Sequence, residues 1–71
     1  MYEIIEAHDG WDVLDEDGKA AGVAMLPGEV SDTLLDEGLS METEVWLSPM
    51  VGHSRALSVA EVEGALLDAE R

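Results

Sequence analysis

The side chains able to do chemistry in this chain are carboxylates, hydroxyls and two histidines, because its 71 residues include no cysteine. His8, Asp9, Asp12 and His53 are each of a type that can ligate zinc, and in principle they could converge on one ion. Their spacing specifies no site, and histidines near strand ends or in loops are more often solvent-exposed. We therefore expect no metal and no cofactor.

An acidic turn gives a second candidate. Asp15-Glu16-Asp17-Gly18 resembles the middle of an EF-hand calcium loop. That loop needs its first ligand at the position of Val13 and its bidentate glutamate at the position of Ala24. Neither side chain can ligate calcium, so we expect no dedicated calcium site.

A third candidate is Gly52-His53-Ser54-Arg55-Ala56, which resembles the G-x-S-x-G nucleophile elbow of the α/β-hydrolases, with alanine in the last place. The resemblance covers five residues of a chain far shorter than that fold. The family places its acid and its histidine after the serine, but no histidine follows His53. Carboxylate pairs such as Glu42 and Glu44 recur too often for one to stand out as general acid and base. The sequence predicts no enzyme.

Charge carries more information than any motif. Seventeen acidic residues stand against Lys19, Arg55 and Arg71, a formal net charge of -14, whereas small domains usually carry roughly 2 to 8 in magnitude. The chain is 46% hydrophobic, which favours folding over disorder. Nucleic acid is excluded as a direct partner, because phosphate binding depends on lysine and arginine. A basic protein surface is favoured instead.

Length and hydropathy predict one domain over residues 1–71, too small for a deep catalytic cavity. No stretch approaches the roughly 20 apolar residues that span a bilayer, and the N-terminus has no basic region typical of a signal peptide. The lack of cysteine is compatible with a reducing compartment. We expect a cytoplasmic protein without a membrane partner.

The elements that must position the acidic side chains begin with a hairpin over residues 11–26, folded back at Asp17-Gly18. Asp-Gly between apolar runs favours a tight type I′ turn. A second Asp-Gly, at Asp9 and Gly10, predicts a further strand over residues 2–7 and hence a three-stranded meander. Three alanines and a glycine within residues 19–26 leave a helical turn open there, although the hairpin favours a strand.

The second half predicts two helices and one more strand. Pro27-Gly28 ends the third strand, and residues 31–38 form a short helix with a serine cap and a C′ glycine. A fourth strand covers residues 42–48, residues 49–56 form a loop, and the capping box of Ser58 and Glu61 starts the second helix. The prediction is a small α+β domain: a four-stranded, mainly antiparallel sheet with two helices on one face, in the order β-β-β-α-β-α.

Alternation of polar and apolar residues predicts the core, with Gly64 allowing close packing of the second helix on the sheet. The predicted core residues are Ile4, Trp11, Val13, Val23, Met25, Leu34, Leu35, Val45, Leu47, Val62 and Leu66. Trp46 alternates with Val45 and Leu47, which places it among acids on the solvent side as an interface candidate. The alternative is that Trp46 is core and Val45 faces outwards.

The acidic surface itself predicts the function. Carboxylates on a rigid scaffold imitate the phosphates of a duplex, about one charge per 1.7 Å of axis, and compete for a basic channel. The predicted contact residues are Asp12, Asp15, Glu16, Asp17, Glu42, Glu44 and Trp46. In size and charge the chain is similar to the small acidic DNA-mimic inhibitors of phages, the anti-CRISPR and anti-restriction proteins.

Two other functions stay open. A salt-adapted, halophilic protein also carries many acids and few lysines, and its charge then serves solubility. An antitoxin-like regulator would neutralise a basic partner through an acidic face, although such regulators also need a basic DNA-facing surface. A mimic predicts acids clustered around an exposed apolar residue, salt adaptation predicts scattered charge, and a homodimer is left open.

Overall fold

A mixed five-stranded sheet carries two helices on one of its faces in the computed structural model, which describes residues 1–71. The elements in chain order are β1 Glu3–Ala7, β2 Gly10–Leu14, β3 Ala20–Met25, α1 Pro27–Asp36, β4 Glu44–Ser48, β5 Arg55–Ser58 and α2 Val59–Ala69. The strands lie in the order β3-β2-β1-β4-β5. Neighbours are antiparallel except β1 and β4, which are parallel. The α+β prediction is confirmed, with one strand more than the four predicted.

The additional strand, β5, lies partly in the predicted loop over residues 49–56. It pairs antiparallel with β4, with Val45 opposite Leu57 and Leu47 opposite Arg55. Only four residues long, it offers too short an alternation to be told from a loop by pattern. Burial of Leu57, which is 7% exposed, and pairing with β4 stabilise it.

The three-stranded meander is confirmed, and residues 20–25 form a strand rather than a helical turn. The predicted type I′ turn at Asp17-Gly18 is wrong, because Gly18 has a positive φ, 84°, but Asp17 does not. The loop is longer, and the Asp15 backbone N–H donates to the carbonyl of Lys19 at 2.8 Å. The Asp15 carboxylate also accepts the backbone N–H groups of Asp17 and Lys19, at 2.9 Å each. In this loop the Asp15 side chain accepts the hydrogen bonds of amides that the backbone of a tighter hairpin would accept.

Helix α1 begins at Pro27, four residues before the predicted start at Ser31. Proline suits the first helical position because its fixed φ is helical and its missing N–H is not needed there. The Glu29 carboxylate accepts the backbone N–H of Leu26 at 2.9 Å. The predicted end is confirmed: Gly38 has φ 97°, and the N–H of Leu39 reaches the carbonyl of Leu34 at 3.2 Å in a Schellman motif.

Helix α2 starts where the capping box predicts. One oxygen of the Glu61 carboxylate accepts the Ser58 backbone N–H at 3.0 Å and the Ser58 hydroxyl at 2.9 Å. These hydrogen bonds, the backbone bond first, lower the pKa of Glu61 below its usual value, and Arg55 adds to the effect. Because the folded pKa is lowered, the stability from this cap is present above the unfolded pKa and is lost as pH falls through the folded one.

The core lies between the sheet and the two helices. Its members are Ile4, Trp11, Val13, Val30, Leu34, Val45, Leu47, Leu57, Val59, Val62 and Leu66. Predicted core residues Val23 and Leu35 are instead 66% and 41% exposed, and Met25 is only partly buried. Val23 is displaced because β3 shifts register next to Ala24, whose φ is 53°. Leu35 lies beside the buried stripe of α1, which is formed by Pro27, Val30 and Leu34.

Gly64 does not serve the close packing predicted for it. It is exposed, and a Cβ added there would have no heavy atom within 4 Å. Glycine in a helix interior costs about 1 kcal/mol relative to alanine. We therefore expect Gly64→Ala to raise the free energy of unfolding by about 1 kcal/mol, measured by urea denaturation. A destabilised variant would mean that the open space is filled in solution.

Candidate functional site

One face of the sheet is covered by no helix, and we call it the open face. Along β1, β2 and β4 the side chains of the open face alternate with the side chains of the core, and each side chain of the open face is at least partly exposed. The open face includes Glu3, Ile5, Asp12, Leu14, Glu44, Trp46 and Ser48. Across the strands, Glu3 lies opposite both Leu14 and Trp46. The open face is therefore a mixed surface of apolar groups and carboxylates.

Trp46 is the largest side chain of the open face. It is 39% exposed, whereas Val45 is fully buried and Leu47 is 3% exposed. The prediction that Trp46 faces solvent and Val45 the core is confirmed, and the alternative is wrong. Ala56 lies directly opposite Trp46 on β5, so one flank of the indole meets only a small side chain.

Two carboxylates of the open face are held by hydrogen bonds within the protein. Glu3 accepts the hydroxyl of Ser48 at 2.7 Å, which fixes the carboxylate beside Trp46. Asp12 accepts the backbone N–H of Ala24 at 2.9 Å, which ties β2 to the irregular part of β3. The Asp12 carboxylate is therefore engaged in holding the fold together.

Further acids gather at the end of the sheet where β1 begins. The Tyr2 hydroxyl donates a hydrogen bond to the Glu37 carboxylate at 2.9 Å. This bond is the main cause that raises the pKa of Tyr2, with smaller contributions from desolvation and from the charges of Glu37, Asp15 and Glu16. Acids from the β2–β3 loop and from the end of α1 therefore act on one phenol, and we call this group the acidic end.

The acidic end predicts a titration that can be measured on the single tyrosine of the chain. Removing the Glu37 charge with Glu37→Gln should lower the Tyr2 pKa towards its usual value, read from the phenolate absorbance. A raised folded pKa also means that this contact stabilises below the unfolded pKa and is lost as pH rises through the folded one. Asp32→Asn on the exposed surface of α1 is the control, and an equal change in both variants would contradict the prediction.

The predicted contact residues occupy three places rather than one patch. Asp12, Glu44 and Trp46 lie on the open face, with Asp12 bonded to Ala24. Asp15, Glu16 and Asp17 form the β2–β3 loop, and Asp15 is occupied by the loop amides. Glu42 is exposed in the turn before β4. The contact set omits Glu3, although the alternation of residues 2–7 could have placed it on a face with Ile5.

A groove in the surface lies between β5 and α2. It has a volume of about 340 Å³ and is lined by residues 55–57 and by Glu61, Gly64 and Asp68 on α2. His8 and His53 lie in the β1–β2 turn and the β4–β5 loop. No group of three or more histidine, aspartate or glutamate side chains is placed to hold a metal ion.

Neither helix has the length and apolar character that a bilayer crossing requires. The comparisons with known proteins add no relative: no family model, no curated protein and no solved structure matches this chain.

Proposed function

We propose that this chain is a non-enzymatic, acidic protein-binding module whose open face docks on a basic protein surface. The observation that carries the proposal is the exposed indole of Trp46, flanked by Glu3 and Glu44 on a sheet face that no helix covers. Tryptophan is among the residues that most often dominate binding energy at interfaces. A rigid apolar anchor with carboxylates beside it suits a partner that offers lysine or arginine around an apolar patch.

Uncompensated charge strengthens the choice of a basic partner. The chain carries -14, and its one ion pair, between Arg71 and Asp68, is exposed at 3.8 Å. Complementary charge speeds encounter and selects partners more than it adds affinity. The carboxylates therefore steer the encounter, and the apolar groups of the open face hold the complex.

The partner is by this reasoning a nucleic-acid-binding protein of the cytoplasm, whose basic surface the chain occupies as a DNA mimic. Glu3 and Glu44 on the open face and the acidic end with Asp15, Glu16 and Glu37 stand in for phosphates. A surface built to bind phosphates is rich in lysine and arginine. The proposed mode of action is that of the small acidic DNA mimics among the anti-CRISPR and anti-restriction proteins, which the chain resembles in size and charge.

Salt adaptation is the second candidate function, favoured by acids that lie far from the open face. Exposed carboxylates also occupy both helices, such as Asp32 and Asp36 on α1 and Glu63 and Asp68 on α2. In that case the charge keeps the protein soluble in brine and selects no partner. Thermal melts in ~0.1 M and ~2 M KCl separate the two, because at the lower salt repulsion acts over about 10 Å. A fold that exists only at high salt favours adaptation.

The binding test labels both tryptophans with 5-fluorotryptophan and titrates an oligo-arginine peptide as a probe of a basic surface. We expect the ¹⁹F resonance of exposed Trp46 to move and that of Trp11, which is 1% exposed, to stay. Movement of neither resonance at saturating peptide would overturn the open face as the docking site.

Matched charge variants then test whether position or total charge matters. Glu3→Gln with Glu44→Gln removes two charges from the open face, and Asp32→Asn with Asp36→Asn removes two from α1. Exposed ion pairs are weak, so we expect the first pair to weaken peptide binding by about two- to fivefold per carboxylate, and the second pair by less. Equal weakening of peptide binding by the two pairs would mean that binding depends on the net charge of the chain and not on the position of the carboxylates.

A further inference from the structure

Strand β5 is an edge strand of the sheet, and no strand pairs with it on the side away from β4. The backbone N–H of Trp46 donates to the carbonyl of Tyr2, the residue just before β1, at 2.8 Å. The backbone N–H and C=O groups of successive strand residues point to opposite sides of the strand. Since those of Trp46 point towards β1, those of Val45 and Leu47 point towards β5, where they bond to Leu57 and Arg55. The N–H and C=O of Ala56 therefore point away from β4, towards solvent, and can pair with another strand.

The groove between β5 and α2 lies beside this open edge. Leu57, 7% exposed, contributes to its lining, and Gly64 borders it where a Cβ would meet nothing within 4 Å. A glycine in mid-helix weakens the helix and here relieves no contact within the chain. Its effect is to keep the groove open to a side chain that comes from outside.

Charge at the groove differs from charge elsewhere on the molecule. Arg55 lines it, and Arg71 pairs with Asp68 at its border. Against these two cations stand the carboxylates of Glu61 and Asp68, so the charges here cancel on a chain that carries -14. A second molecule of the same acidic chain therefore meets less repulsion here than the net charge alone implies.

We propose that β5 is a homodimer interface, at which β5 of a second copy pairs antiparallel with it about a two-fold axis at Ala56. The two Ala56 residues exchange both backbone hydrogen bonds, which makes one continuous ten-stranded sheet. In this register Arg55 lies opposite Leu57 of the partner subunit, on the helix side of the sheet. Its guanidinium enters the partner's groove above Gly64, between the carboxylates of Glu61 and Asp68. The contact is isologous, so both grooves are filled at once.

Salt gives the dimer a signature of its own. Two chains of -14 repel each other at low salt, and the repulsion is screened within about 3 Å at 1 M salt. The dimer should therefore form more strongly as KCl is raised, whereas binding of a basic partner to the open face should weaken. Opposite salt dependence keeps this inference distinguishable from the proposed function.

Sedimentation velocity of the full chain in ~0.1 M and ~2 M KCl tests the dimer directly. We expect dimers at the higher salt. Ala56→Pro removes the outward N–H, and edge strands tolerate proline. Gly64→Leu fills the space in the groove that the partner's Arg55 would occupy. Each variant should raise the dimer dissociation constant at least about tenfold. Gly64→Leu replaces glycine with a better helix former, so its loss of dimer cannot be attributed to a weaker helix.

Ala69→Leu is the matched control, because it adds the same side chain to an exposed position of α2 that does not line the groove. We expect it to dimerise like the original chain. A chain that stays monomeric at millimolar concentration in both salts would overturn the inference. So would a dimer that survives both Ala56→Pro and Gly64→Leu.

Discussion

Trp11→Ala is expected to leave the chain largely unfolded at room temperature. Trp11 is 1% exposed and is the largest side chain of the core. Its indole N–H also donates to the carboxylate of Glu70 at 2.9 Å, which links β2 to the C-cap of α2. Replacing a buried tryptophan by alanine costs about 3–5 kcal/mol, and a domain of this size is stabilised by only roughly 3–5 kcal/mol. Circular dichroism and urea denaturation measure the loss.

Trp46→Ala is the matched control, because it removes the same side chain from the open face. With 39% of Trp46 exposed, we expect a much smaller loss of stability. Trp11→Phe should fall between the two, since it keeps an aromatic ring in the core but removes the hydrogen bond to Glu70. Equal midpoints for Trp11→Ala and Trp46→Ala would contradict the burial of Trp11.

Gly10→Ala is expected to be the second most damaging single substitution among those considered. Gly10 has φ 152°, and an added Cβ would lie 2.7 Å from the carbonyl carbon of Ala24. Both atoms belong to paired strands of the sheet, so neither can move without breaking the β2–β3 pairing. Backbone strain and the collision together should cost about 2–5 kcal/mol in the free energy of unfolding.

Gly18→Ala separates the cost of backbone strain from the cost of the steric collision. Gly18 also has a positive φ, 84°, but an added Cβ there has no neighbour within 4 Å. That variant should lose only about 1–2 kcal/mol from the unfavourable backbone conformation. A loss for Gly10→Ala no larger than that for Gly18→Ala would show that β3 yields at Ala24.

Features set by neighbouring residues could be predicted from the sequence. The cap formed by Ser58 and Glu61 and the helix end at Gly38 depend on hydrogen bonds that span five residues or fewer. The meander likewise follows from short connections between its strands. Strand β5 could not be predicted, because its stability comes from pairing with β4 and from the burial of Leu57 under α2. The same limit hides the pairing of Glu3 with Trp46, which joins distant parts of the chain.

The candidate site was predicted in part for the same reason. The exposure of Trp46 follows from strict alternation with Val45 and Leu47, which is a local property. The bond from Ala24 to the Asp12 carboxylate depends on an irregular register that no pattern indicates. The groove beside Gly64 requires β5, so its position became visible only with the fold.

The irregular register of β3 also decides how far the sheet can grow. Pairing at β5 leaves β3 as the outer strand at both ends of a dimer. There the ladder shifts register twice, and Ala24 adopts a positive φ held by Asp12. A bulged edge offers no straight row of amides to an incoming strand. In the proposed dimer, assembly therefore stops at two copies, because the distorted edge at β3 cannot pair with a further strand and extend the sheet into a filament.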